Sequence, residues 1–236
     1  MNDTPKLNEL CPCSSNIHFG DCCAKEKNLI PKGITIRHNA ISNKKCDYMV
    51  GYLKKQPKEW ATISTKTNHL GQMEYAKDPA RVTQEIRRGK LEKTILTIVH
   101  QLYMEMVNVQ AGETLQWFEM PVVLYYSIGG VYKTHADSEN YDSAVGSWRK
   151  IFDRDYSILL YLSDDFTGGD VTFNMFNFSY HPKKGDMIFF PSDHRYQHTA
   201  EPVLSGNRYT IVSWCAIKES QKVEGKIPAK AIIIAD

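Results

Sequence analysis

The 236-residue chain has no long hydrophobic run: no stretch approaches the roughly 20 apolar residues that a membrane-spanning helix needs. Its opening segment, MNDTPKLNEL, lacks the basic-then-apolar order of a signal peptide, so a reducing, cytoplasmic setting is the default expectation. Net charge is also nearly absent. The 29 Lys+Arg and 27 Asp+Glu leave +2, which excludes a global field that would hold nucleic acid or a membrane surface. No continuous basic and aromatic stripe for a nucleic-acid strand is present, and neither partner is expected. Internal repeats and low-complexity segments are lacking too. What remains, 42% hydrophobic and 24% charged residues, is an ordinary globular composition, long enough for one sizeable core with a small appendage.

Cysteine is scarce except at one place. Four of the six (Cys11, Cys13, Cys22, Cys23) fall within the first two dozen residues, while Cys46 and Cys215 stand alone and read as buried structural thiols. A chain of this length does not need disulfide staples, and adjacent cysteines rarely bridge each other, so a metal is the better reading. Four thiolates satisfy a tetrahedral Zn(II) completely, as a structural site requires. The segment between them, with Pro12, Ser14, Ser15, Asn16 and Gly20, is too short for a hydrophobic core, and metal binding would supply its folding free energy. The pattern C-P-C-x8-C-C resembles the SEC-C zinc motif known from the tail of the preprotein-translocase ATPase. It departs at Ser14 and Asn16, where that motif has glycine; Asn tolerates a left-handed turn better than Ser does. The resemblance implies docking to a partner and not catalysis.

Residues 24–40, including Lys25, Lys27, Pro31, Lys32 and Gly33, read as a linker. Asn43 is expected to cap a helix running through Cys46, Met49, Val50 and Leu53 to the stop at Gln56–Pro57. A longer helix is expected from Leu91 to Val109, where Leu91, Ile95, Ile98, Val99, Leu102, Met106 and Val109 recur at spacings of three and four. Between them, Arg81, Arg87, Arg88 and Lys90 read as a solvated helix face or, less favoured, as a substrate-binding lid. From Pro121 onward, short runs at 121–127, 156–162, 171–178, 186–190 and 208–217 alternate with glycine-rich turns. Such strands predict a sandwich or barrel with helices packed outside, hence an α+β, mainly β fold.

The β region also carries the chemistry. In His135-Ala136-Asp137, alternate side chains of an extended segment share a face, so imidazole and carboxylate can reach one ion. A further histidine, from among His181, His194 and His198, would complete a two-histidine, one-carboxylate facial triad, the set that suits non-haem Fe(II) with open positions. In the last strong strand Arg208, Thr210, Val212 and Trp214 share one face, and Tyr209, Ile211, Ser213 and Cys215 the other. A buried unpaired arginine is costly in an apolar core but suits a clamp on a dicarboxylate ligand.

Taken together, Tyr126-Ser-Ile-Gly-Gly-Val-Tyr132-Lys-Thr-His135-Ala-Asp137, Leu160-Tyr161-Leu-Ser-Asp, Gly168-Gly169-Asp-Val-Thr-Phe173, Pro182-Lys-Lys-Gly185-Asp, His198 and Pro202-Val-Leu-Ser-Gly-Asn-Arg208 resemble the prolyl 4-hydroxylase branch of the 2-oxoglutarate/Fe(II) dioxygenases. The resemblance is strong over roughly 120–217 and only general before that. It implies a double-stranded β-helix (jelly-roll) core with His135, Asp137 and His198 as the Fe(II) ligands. It implies Arg208 pairing with the distal carboxylate of 2-oxoglutarate, helped by Thr210, Tyr126 and Tyr161, with Trp214, Trp148 and Tyr132 around the substrate. No catalytic residue separate from the metal and cosubstrate sites is expected. O2 is the other cosubstrate, succinate and CO2 are the co-products, and ascorbate is the expected reductant.

Substrate is the least determined part. The stretch 138–155, with Tyr141, Trp148, Arg149 and Phe152, follows the H-x-D directly and is placed to cover a substrate as a lid. The leading expectation is a prolyl residue of a protein or peptide. Another amino-acid side chain, a free amino acid or a small molecule stays open, as does a non-catalytic metal-binding interaction protein. The expected organisation is a zinc-binding segment over 1–28 and a dioxygenase domain over 29–236, with helical support at 40–112 and the jelly-roll core at 118–217. The run Ala231-Ile-Ile-Ile-Ala235 reads as an added strand, a dimer contact or simple packing.

Overall fold

A computed structural model describes residues 5–13, 15–25, 30–67, 73–223 and 227–234. Helix α1 (Asn43–Leu53) is capped by Ser42, whose hydroxyl accepts from Lys45 N–H; the expected cap, Asn43, is instead the first helical residue. Its buried face is Cys46, Met49 and Leu53. Helix α2 (Glu92–Tyr103) is entered by a 3-10 turn at Gly89–Leu91 and continued by a π-helix over Met104–Ala111. The expected stripe is buried from Leu91 to Met106, but Val109 is 76% exposed. The wider π turns rotate the register, so that Val107 takes the inward place.

Nine strands make the core: β1 (Val122–Tyr126), β2 (Val131–His135), β3 (Tyr156–Tyr161), β4 (Phe166–Gly168), β5 (Val171–Phe173), β6 (Met187–Pro191), β7 (His198–Ala200), β8 (Val203–Gly206) and β9 (Arg208–Ile217). The larger sheet runs Thr35–Arg37, β6, β3, β9, β1, Gln84–Ile86, Lys58–Trp60, with Leu115–Glu119 on β9 and Ala231–Ile233 on that strand in turn. The smaller sheet runs Phe178–Tyr180, β5, β7, β2, Arg81–Val82, and β4 pairs with β8. This is the expected jelly-roll. Its division into faces follows the alternation along β9. Tyr209, Ile211 and Cys215 join Met49, Ile95, Val99 and Tyr103 in the apolar cluster beneath the helices, while Arg208, Thr210, Val212 and Trp214 turn into a cavity shared with the smaller sheet.

Several expectations change. The linker reading of 24–40 fails at Thr35–Arg37, which pairs with Met187–Phe189 of β6; Lys27 lies outside the described residues. A polar three-residue strand carries little signal of its own and is recruited by an open sheet edge. The basic cluster is not a helix face, because Arg81 belongs to a strand and Arg87 and Arg88 follow another. The proposed lid is a β-hairpin, Glu139–Asp142 against Ser147–Lys150. The run 171–178 is broken by a 3-10 turn at Asn174–Phe176. Ala231–Ile233 is an added strand, and Ala235 lies outside the described residues.

Candidate active site

The register within the smaller sheet brings the candidate metal-binding side chains together. In the β2/β7 ladder His135 lies directly beside His198, and Asp137 follows just past the end of β2. One ligand atom from each of His135, Asp137 and His198 lies within 4.8 Å of the others. His135 Nε2 is 3.5 Å and His198 Nε2 is 3.9 Å from the Asp137 carboxylate. Each imidazole turns its other nitrogen to a carbonyl two residues earlier: His135 Nδ1 to Lys133 O at 2.9 Å and His198 Nδ1 to Tyr196 O at 3.2 Å. Nδ1–H donates in both, which leaves both Nε2 lone pairs for a cation. Asp137 is held by the Ser157 hydroxyl, which donates to Oδ2 at 2.6 Å and contacts Ser192 Oγ at 2.7 Å.

The charges suit a divalent cation. Burial alone would raise the Asp137 pKa, but His198, His135 and the Ser157 hydroxyl outweigh it and hold the carboxyl well below its usual range. Burial, with His135 beside it, lowers His198 to about 4 against the pull of Asp137, so the imidazole is a neutral ligand at neutral pH. The other candidate histidines are elsewhere: His181 pairs with Asp170, and His194 with Glu139.

The triad opens on a cavity of about 330 Å³. In β9, Arg208 sits across from Tyr126 of β1, and Thr210 lies between Leu124 of β1 and Tyr161 of β3. All four expected cosubstrate residues therefore converge: Arg208, Thr210, Tyr126 and Tyr161 line the cavity and are buried. The Arg208 guanidinium lies 3.8 Å from the Tyr126 ring centroid and donates through Nη1 to Gly169 O at 2.6 Å. Gly169 has φ +65°, a conformation that favours glycine. Arg208 Nε and Thr210 Oγ1 are buried without a hydrogen-bond partner, and no described acidic side chain forms an ion pair with Arg208. A buried cation and hydroxyl left open toward one cavity fit an anionic oxygen ligand.

Of the expected substrate-pocket residues, Tyr132 and Trp214 line the cavity and Trp148 does not. Trp148 stacks on His194 at 5.2 Å in the hairpin, so its placement at the pocket is corrected. Tyr132 stacks on His135 at 3.6 Å. Arg81 alone of the basic cluster reaches the cavity, 4.9 Å from the Tyr132 ring. Sequence reasoning missed Arg154. Its guanidinium lies 3.9 Å from the Trp214 ring, forks onto Glu119 and donates to Asp137 O. Burial would lower its pKa, but Glu119 holds it charged. It also missed Ser157 and Ser192. A serine within the otherwise apolar strand Tyr156–Tyr161 was the available signal for the former.

The four N-terminal cysteines form a second cluster, with all four sulfurs within 4.8 Å of one another. Cys13 and Cys22 sulfurs are 3.5 Å apart and Cys22 and Cys23 3.9 Å. A tetrahedral zinc with bonds of about 2.3 Å requires spacings of about 3.8 Å, so the donor set fits that ion. Asn16 is left-handed at φ 59°, as the turn requires, and Ser14 lies outside the described residues. Cys46 and Cys215 are buried as expected.

Residues 121–216 match the 2OG-Fe(II) oxygenase superfamily and residues 8–25 the SEC-C motif. The alpha-1 subunit of prolyl 4-hydroxylase from Bos taurus is 27% identical over 207 residues, covering 81% of this chain and 36% of that subunit. The chain thus spans about a third of the length of that curated relative. A viral collagen prolyl hydroxylase from Paramecium Bursaria Chlorella virus-1, solved with 2OG, superposes with a TM-score of 0.53 at 18% identity, covering 78% of this chain and 97% of the viral one. A prolyl hydroxylase from Trichoplax adhaerens, solved with a hypoxia inducible factor peptide, gives 0.55 at 18%, covering 80% and 88%. At these identities the structural likeness shows the fold. Among the described residues no helix is long and apolar enough to cross a membrane.

Proposed function

We infer that the chain, whose residues 121–216 form a 2OG-Fe(II) oxygenase domain, is an Fe(II)- and 2-oxoglutarate-dependent dioxygenase that hydroxylates a prolyl residue of a protein or peptide. The observation that carries the reading is the pair of unpartnered buried atoms, Arg208 Nε and Thr210 Oγ1, in the same cavity as the His135, Asp137 and His198 cluster. In this reading the triad holds Fe(II), Arg208 and Thr210 bind the distal carboxylate of 2-oxoglutarate, and Tyr126 and Tyr161 wall the same end. When bound, iron supplies the redox chemistry that couples conversion of 2-oxoglutarate and O2 to succinate and CO2 with insertion of one oxygen atom into a C–H bond.

The chain's own residues do the remaining work. Ser157 and the Lys133 and Tyr196 carbonyls orient the three ligands, and Leu124, Leu159, Val171 and Val212 exclude water. Tyr132 and Trp214, with Arg154 stacked on the latter, form the walls against which the substrate lies. The peptide-bound relative from Trichoplax adhaerens and the prolyl 4-hydroxylase alpha-1 subunits support a prolyl peptide as substrate. The four cysteines hold a structural Zn(II) and offer a docking surface to a partner, ascorbate serves as reductant, and the setting is cytoplasmic.

The test is mass spectrometry on a library of proline-containing peptides incubated with the protein, Fe(II), 2-oxoglutarate and ascorbate. One added oxygen, localised to proline and absent with His135→Ala, is the expected result. Oxygen added only to another residue type would overturn the prolyl assignment.

A further inference from the structure

The four-cysteine cluster and the histidine-carboxylate cluster are joined through one packed apolar cluster. Cys22, Cys23 and Ala24 pack against the buried cluster that contains Tyr196. The carbonyl of Lys32 accepts from the Tyr196 hydroxyl at 3.0 Å. Tyr196's own carbonyl faces His198 Nδ1 at 3.2 Å, the bond that fixes which nitrogen His198 presents to a cation. Tyr196 is 4% exposed, and its ring packs 5.2 Å from Phe176. Both belong to one apolar cluster with Cys11, Cys13 and Phe19 on one side and Phe173 and Phe190 on the other. The last two rings lie 5.7 and 4.9 Å from the His198 imidazole.

The backbone is shaped around this tyrosine. Gly33 has φ +91°, and a Cβ there would lie 2.1 Å from the Tyr196 hydroxyl, so only glycine lets Lys32 C=O meet it. His135 supplies an internal contrast. Its Nδ1 is held by the carbonyl of Lys133, an exposed residue outside that cluster. Of the two histidines, His198 alone is tied through its orienting carbonyl to the cysteine segment.

We propose that Tyr196 is a positioning residue that couples the two metal sites, so that an ion held by the cysteines tightens the binding of a divalent cation at His135, Asp137 and His198. A tetrahedral ion fixes the cysteine segment and with it the apolar cluster that seats Tyr196. The Tyr196 hydroxyl transmits that order to the carbonyl that aims His198. This inference rests on the metal-site reading above and adds a dependence of one site on the other.

The test is a calorimetric titration of the full chain with Mn(II), a redox-inert stand-in for Fe(II), with one equivalent of zinc bound and after zinc removal. In the wild type, removing zinc is expected to weaken Mn(II) binding about tenfold, the lower end of the usual cost of losing an orienting partner. Tyr196→Phe is expected to keep one zinc per chain, to bind Mn(II) about tenfold more weakly than zinc-loaded wild type, and to respond little to zinc removal. Gly33→Ala, which displaces the hydroxyl without touching either ligand set, is expected to do the same. Mn(II) affinity in the wild type unchanged by zinc removal would overturn the proposal, as would an undiminished zinc dependence in both variants. Wild type that binds no Mn(II) in either state would instead refute the metal-site reading, and this inference with it.

Discussion

Arg208 is the residue on which the cosubstrate reading turns, because its charge is buried and has a carbonyl, not a carboxylate, as its hydrogen-bonded neighbour. Arg208→Gln is expected to weaken 2-oxoglutarate binding about tenfold to a hundredfold, the loss of a charge-assisted hydrogen bond, and Thr210→Val by less. Metal binding should be unchanged in both, since neither touches the triad. Calorimetry on the Mn(II)-loaded protein checks this, and an unaltered affinity in Arg208→Gln would contradict it. At this scale much was legible. The two-residue spacing of His135 and Asp137 and the alternation of Arg208, Thr210 and Trp214 are local patterns that a strand converts directly into a shared face. Choosing His198 over His181 and His194 required the family resemblance, because the His135–His198 register spans two distant strands. Arg154 was not legible at all: its partner Glu119 lies 35 residues away, and no periodicity links them.

Elements were legible where hydrophobic period was strong and failed where the chain was polar or the helix changed type. Helix α2 illustrates both. Ile95 is fully buried among residues of the larger sheet, and Ile95→Ala is expected to cost about 3 kcal/mol by the cavity it leaves. Val109 fits the same three-and-four spacing, but the π-helix turns it outward, so Val109→Ala is expected to stay within about 0.5 kcal/mol. Denaturant unfolding of the two variants measures the difference, and comparable losses would contradict the π register. The hairpin of Glu139–Asp142 and Ser147–Lys150 escaped because each strand carries one aromatic residue, Tyr141 or Trp148, among polar ones, too little alternation to read as a strand. Thr35–Arg37 escaped because its strand character comes from the open edge of β6.

For the whole molecule, the small net charge conceals local order. Among the described residues the cavity carries Arg81, Lys133, Arg154 and Arg208 against the single carboxylate of Asp137, so its recognition chemistry is cationic although the chain is nearly neutral. The sequence divided the chain into an appended cysteine segment and a catalytic remainder. The structure gives them one continuous apolar cluster, from Phe19 through Tyr196 to Phe190 beside His198. That continuity was not legible because it depends on Gly33 and Lys32 within a stretch that reads as a linker. The central claim, that His135, Asp137, His198 and Arg208 together turn over 2-oxoglutarate, is tested most directly by succinate formation from Fe(II), 2-oxoglutarate and O2. The wild-type protein should produce succinate, and His135→Ala and Arg208→Ala should each abolish it. Succinate formed at the wild-type rate by either variant would contradict the account.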